Sequence, residues 1–167
     1  HMTPQGSSYA TTREDFVYGK PLPVTDMVIG KDGAMYFTIG GRGTQSAIYR
    51  VIYTGAESTA PAAPLAPNAD TMLRRSLEAF HGKQDPAAVA AAIPYLGHPD
   101  RFIRFAARTA LEHQPTASWQ QQVLTAPSAL ARITGIVGLA RTADKSQKEV
   151  LFAALSAIDP SSLNQST

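Results

Sequence analysis

The chain has 167 residues, 44% of them hydrophobic, and carries 15 lysines and arginines against 13 acidic residues. That length suits one domain or a little more, and a formal charge of +2 does not by itself point to a polyanionic partner, despite a pI near 9.0. The sequence contains no cysteine, which excludes disulfides, thiolate metal sites, covalent haem attachment and cysteine nucleophiles within it.

No apolar run approaches the ~20 residues needed to span a bilayer. The opening His1-Met2 reads as a tag-and-cloning scar, so a secretory signal would lie outside this sequence. Thr3 to Arg13 is polar and turn-rich, and irregular structure is expected there. Phe16 to Lys20 offers a short strand, followed by a stiff Pro21-Leu22-Pro23 connection. Val24 to Ile29, a turn at Gly30-Lys31-Asp32-Gly33 and Ala34 to Ile39 form a β-hairpin pattern, in which Met35, Phe37 and Ile39 alternate with Tyr36 and Thr38. After Gly40-Gly41-Arg42-Gly43, Ala47 to Tyr53 supplies another strand. The expected product is a small antiparallel sheet of three or four strands, with exposed edges and one face to bury. The Gly40 to Thr44 loop has amides and Arg42 to offer an anion. No helix start follows to complete a phosphate site, so a plain connection carries more weight.

Composition shifts at Glu57, and residues 58–69 read as a Pro/Ala-rich linker between a β segment, 1–57, and a helical domain, 70–160. The first helix is expected from about Asp70 to His81, burying Leu73, Leu77 and Phe80 and stopping at Gly82. A second opens on Asp85 and Pro86, buries Val89, Ile93 and Leu96, and is kinked by Pro94. Gly97 fits a left-handed position and Pro99 forbids continuation; Asp100 then caps a helix with Ile103, Ala107, Ala110 and Leu111 at helical spacing. A short helix at about Ala117 to Thr125 carries Trp119 and Val123. A longer one at about Pro127 to Arg141 presents Leu130, Ile133, Val137 and Ala140, with Gly135 and Gly138 tolerated through close packing. A last helix spans about Gln147 to Ile158, and 161–167 reads as a polar tail. The helix pairs recur at about 30 residues, a solenoid-like period. The fold class is therefore α+β: a small antiparallel sheet followed by an α-solenoid.

Two stretches resemble known patterns. Pro23-Val24-Thr25-Asp26-Met27-Val28-Ile29-Gly30-Lys31-Asp32-Gly33-Ala34-Met35-Tyr36-Phe37-Thr38 resembles one blade of the β-propellers in NHL-repeat and quinoprotein sugar dehydrogenase-like proteins. Leu96-Gly97-His98-Pro99-Asp100, with Ile103-Arg104, Ala106-Ala107 and Ala110-Leu111, resembles a HEAT-type repeat, in which Asp100 and Arg104 match the residues that bridge neighbouring repeats. Pro127 to Arg132 keeps the spacing without the aspartate. In this order the two are similar to the middle of bacterial membrane-bound-dehydrogenase-like or haem-binding proteins, which continue into a c-type cytochrome domain. The resemblance implies a periplasmic or extracellular setting. It also implies that haem chemistry belongs outside this sequence, since no Cys-x-x-Cys-His is present.

Candidate sites are few. His81, His98 and His113 sit at expected helix C-termini, where capping of free carbonyls explains them better than metal ligation. Arg101, Arg104 and Arg108 form a stripe that suits phosphate, yet Asp100 and Glu112 stand at i,i+4 spacing to Arg104 and Arg108 and would pair locally. Trp119, beside Gln120 to Gln122, is a binding platform or, with Val123, core. Asp26 and Asp32 lie near the hairpin turn without support for a catalytic pair. No nucleophile elbow, Walker loop, dinucleotide fingerprint or zincin motif occurs. Arg101, Arg104, Arg108 and Trp119 are thus the candidate interaction surface, with no catalytic residue, metal or cofactor assigned to this chain. The expected role is a non-catalytic scaffold contacting flanking domains of a larger redox protein or another protein, with no membrane partner. The alternatives are one wall of a quinone-dependent sugar or alcohol dehydrogenase site, or a nucleic-acid-binding helical repeat.

Overall fold

A computed structural model describes residues 1–61 and 63–163, of which Ser162 is described in its backbone alone. In chain order the strands are β1 (Met2–Gln5), β2 (Ser8–Thr11), β3 (Val24–Ile29), β4 (Met35–Gly41) and β5 (Thr44–Val51). The helices are α1 (Ala69–Glu78), α2 (Ala87–Ala92), α3 (Arg101–Glu112), α4 (Gln120–Leu124), α5 (Ala129–Thr142) and α6 (Lys148–Ser156). The chain is thus mixed α and β, with two small antiparallel sheets. It divides into two compact units: His1 with Thr12–Leu65, and Met2–Thr11 with Ala66–Thr167. Residues 164–167 of the expected tail lie outside the described residues, and Pro160–Ser162 forms a 3-10 turn.

The first unit is the sheet β3-β4-β5. Its hairpin closes where expected: Gly30 N donates to Ala34 O at 2.8 Å, and Gly33 takes φ of 76°, open to glycine at no steric cost. Gly41 pairs with Thr44 across a two-residue turn, so β5 begins earlier than hydropathy suggests. The Gly40 to Thr44 segment is that hairpin connection. Phe16 to Lys20 forms no strand. Ala34, Phe37 and Ile39 are the buried apolar residues, and Phe37 stacks on Tyr49 with centroids 4.9 Å apart. Val28, Ile29 and Ile48 remain exposed.

The second unit departs from expectation at its start. Residues 2–11 are the β1–β2 hairpin, which belongs with the helices. Its tip is held by two helix caps. Asn68 Oδ1 accepts from Thr71 N at 2.8 Å to cap α1, while its Nδ2 donates to Gly6 O at 2.9 Å. Asp100 Oδ1 accepts from Phe102 N at 2.8 Å to cap α3, while its Oδ2 accepts from Ser7 N at 2.7 Å. Hydropathy has no reading for such a hairpin, because side-chain caps rather than an apolar face anchor it.

In the helical part, Leu77, Leu96, Ile103, Leu111, Trp119, Val123 and Leu139 are fully enclosed. Each aliphatic of that size contributes on the order of 1.5–3 kcal/mol by leaving water, so this unit holds most of the apolar stabilisation. Helix α1 stops at Glu78, three residues short of the expected His81, and the chain passes through turns at Phe80 and His81 before Gly82 takes a left-handed φ of 74°. Pro94 does more than kink α2: the helix stops at Ala92, and Ile93–Tyr95 continues as a 3-10 turn. Asp85 Oδ1 accepts from Ala87 N at 3.0 Å and so caps the opening of α2. Gly97 is not left-handed. A side chain there would press on Ser128 Oγ at 3.3 Å and Ala131 Cβ at 3.4 Å, so its smallness serves the approach of α5.

The buried face of α5 also differs from the apolar stripe. Thr134, Gly135, Ile136, Gly138 and Leu139 are enclosed, while Val137 is 40% exposed. The glycines decide this, because they let the α5 backbone settle against Val123 and Trp119, leaving the bulkier residues outside. A methyl at Gly135 would fall inside the Val123 side chain. Gly135→Ala is therefore expected to lower unfolding free energy by about 1–3 kcal/mol in urea titrations despite the better helix propensity of alanine. A stabilised variant would contradict the close approach.

Candidate functional site

Asp100 fixes the start of α3, and from there Arg101, Arg104, Phe105 and Arg108 fall on one stripe at i, i+3, i+4, i+7. Ser128 Oγ accepts from Ala131 N at 3.3 Å to open α5, whose Leu130, Ile133, Thr134 and Val137 repeat the same spacing. The two helices run side by side in one direction. Gly97 lies near Ala131, Arg108 near Gly138, and Glu112 near Arg141. Their stripes therefore face a common open groove of about 250 Å³, cationic on one wall and mostly apolar on the other.

The arginines differ in their engagement. Arg101 lies over the Phe102 ring at 4.6 Å, and Arg104 Nη1 donates to His98 O at 2.7 Å and Pro99 O at 2.9 Å. Arg108 Nε stands 3.0 Å from Glu112 Oε1, without hydrogen-bond alignment, while its guanidinium lies 5.1 Å from the Phe105 ring centroid. Glu112 Oε2 also accepts from Arg141 Nε at 3.1 Å. The expected Asp100–Arg104 pair is not formed. Asp100 spends its two oxygens on backbone amides, which leaves Arg101 and Arg104 without a carboxylate partner among the described residues.

Trp119 does not join this groove. It is 1% exposed, its Nε1 donates to Gln114 O at 3.4 Å, and its ring meets Gly138. The surface-platform reading is corrected accordingly to core, because the absence of side chains at Gly138 opens the slot the indole fills. The histidines are dispersed in role. His113 is the C-cap of α3, His81 Nε2 contacts Ala106 O at 2.9 Å, and their rings stand 6.2 Å apart. His98 does not cap a carbonyl through its ring: its Nδ1 accepts from Asp100 N at 3.1 Å. Among the described residues no cluster of three histidines or acids has metal-site geometry. No helix of the described residues is long and apolar enough to cross a membrane.

Asp26 and Asp32 do not converge. Asp26 accepts from Met27 N, whereas Asp32 Oδ2 receives Arg50 Nη2 at 3.0 Å and Tyr36 Oη at 2.8 Å. Those hydrogen bonds, Arg50 first, hold the Asp32 carboxyl below its ordinary range.

Gln114, unremarked in the sequence because it lies just past a helix end, is buried. Its Oε1 accepts from Asp85 N at 2.9 Å, and its Nε2 donates to Lys83 O at 3.0 Å and Ala110 O at 3.1 Å. Its three bonds lock the loop before α2 onto the end of α3.

No protein-family model matches this sequence, and neither a curated protein nor a solved structure matches it.

Burial pushes the Asp100 carboxyl up, but the Ser7 and Phe102 amides outweigh it and hold the group below its ordinary range. A depressed native value means the stabilisation is complete above the unfolded-state value and disappears as pH falls through the native one. Asp100→Ala is expected to cost about 1–2 kcal/mol at neutral pH, and the loss relative to the parent chain should shrink on acidification through the carboxylate range. Thermal melts across that range check it; a loss independent of pH would contradict the carboxylate's role.

Proposed function

We propose that this chain is a non-catalytic interaction module, a HEAT-like stack of helix pairs that docks neighbouring domains through the α3–α5 groove. The observation that carries this reading is the pairing of two helices in one direction with matched stripes on a single open groove. Repetition supports the stacked arrangement. Side-chain bonds join positions 29, 31, 27 and 29 residues apart: Gln114 to Asp85, Gln114 to Lys83, Gln120 to Gln147 and Arg141 to Glu112. Spacings so alike are what a repeat of about 30 residues produces at successive interfaces. α3 packs against both α1 and α5, as the middle member of such a stack does.

The broader placement belongs to the same proposal. The β3-β4-β5 meander, with exposed apolar residues, suits a propeller blade, and the module would join that propeller to a cytochrome-like domain in a periplasmic redox protein. Titration calorimetry of the full chain against each purified neighbouring domain of the longer protein tests it. Saturable heat with at least one domain is expected, and none with either would overturn the reading. The dehydrogenase alternative has its own assay. Pyrroloquinoline quinone with calcium is expected to give no dye reduction by this chain, and turnover would reassign the function.

A further inference from the structure

We infer that the segment a docking domain lays into the α3–α5 groove is an acidic amphipathic α-helix, an assignment that rests on the interaction-module reading above. Charge is the first argument. Helices α3 and α5 together carry five arginines and one glutamate, a concentration of positive charge that the chain's overall +2 conceals. Arg101 and Arg104 have no carboxylate partner among the described residues, and the one glutamate is already shared by Arg108 and Arg141. A ligand bringing carboxylates to this wall completes ion pairs the chain leaves open.

The opposite wall selects protein over nucleic acid. Leu130, Ile133 and Val137 line it, and Phe105, 56% exposed, stands among the arginines. A phosphate backbone gains nothing by covering such side chains, whereas an amphipathic peptide buries its own apolar face there. Secondary structure follows from the backbone. Both walls are helices whose amides and carbonyls are paired internally, so neither offers an edge to an extended strand. An incoming segment must satisfy its own backbone groups, which it does as a helix. Each stripe covers eight residues, about 10 Å of helix, so a guest with apolar residues at i, i+3, i+4 and i+7 and glutamates along the adjoining face matches both walls.

The probe is a fluorescein-labelled amphipathic peptide of about 18 residues, with leucines on one face and glutamates flanking it, titrated into the full chain by anisotropy. Saturable binding is expected, weakened about tenfold or more by Arg101→Glu and by Val137→Glu and largely retained in Arg101→Lys. Both altered residues are solvent-exposed, and circular dichroism melts confirm that the variants fold. Raising salt from about 50 to about 300 mM should weaken the glutamate peptide, and a lysine-for-glutamate version should not bind. Equal binding of the lysine peptide, or no binding of either, overturns the assignment. Preference for labelled duplex DNA that is indifferent to Val137→Glu also overturns it and makes the stripe a phosphate rail. Where the neighbouring domains still bind Arg101→Glu and Val137→Glu at full strength, the module reading survives and this occupant does not. Absence of both domain and peptide binding by the unaltered chain removes the two together.

Discussion

The constraint on which the helical unit depends is the alanine face of α3. Ala106, Ala107 and Ala110 are enclosed between Ile103 and Leu111, with α1 and α5 both packed on the same helix. Only methyl-sized groups at those positions allow two neighbours to approach one helix so closely, and interiors this dense transmit any added volume to the backbone. The glycines of α5 extend the same principle. Together they set the separation and alignment of the two helices, and hence the width of the groove whose walls they form.

Polar residues then convert proximity into register. Asn68 and Asp100 each cap a helix and also hold the tip of the β1–β2 hairpin, so the start of two helices and the docking of a remote segment rest on the same side chains. Gln114 works likewise, tying the loop before α2 to the end of α3 from a buried position where an unpaired amide would be costly. One consequence reaches the surface. Because amides occupy Asp100, Arg104 turns to carbonyls instead, and the basic wall keeps charge that an intrahelical pair would have removed.

The parts of this fold legible in the sequence are those governed by local chemistry. Alternation and a glycine-bounded turn mark the β3–β4 hairpin, Asp100 and its spaced apolar residues mark α3, and Gly82 marks the left-handed turn that follows α1. What escaped depends on remote contacts. The β1–β2 hairpin has no apolar face to signal it. Gly97 looks like a left-handed stop until α5 is seen beside it. The Leu130, Ile133, Val137 stripe looks like core because hydropathy cannot register that two glycines bury the other side. Of the candidate surface, the three arginines were legible as a stripe and do share one groove, whereas Trp119 fills the space beside Gly138. The apolar wall facing the arginines reads in the sequence as helix core, so the sequence alone does not reveal the groove.

The two units of the chain differ in how they are held, with α3 as the fixed point of the helical one. Native-state amide hydrogen exchange measures this directly. Amides of α3 are expected to exchange only through global opening and to rank among the slowest in the chain, while those of β3, on an exposed edge strand, exchange through local opening. Protection of β3 equal to or greater than that of α3 would contradict it.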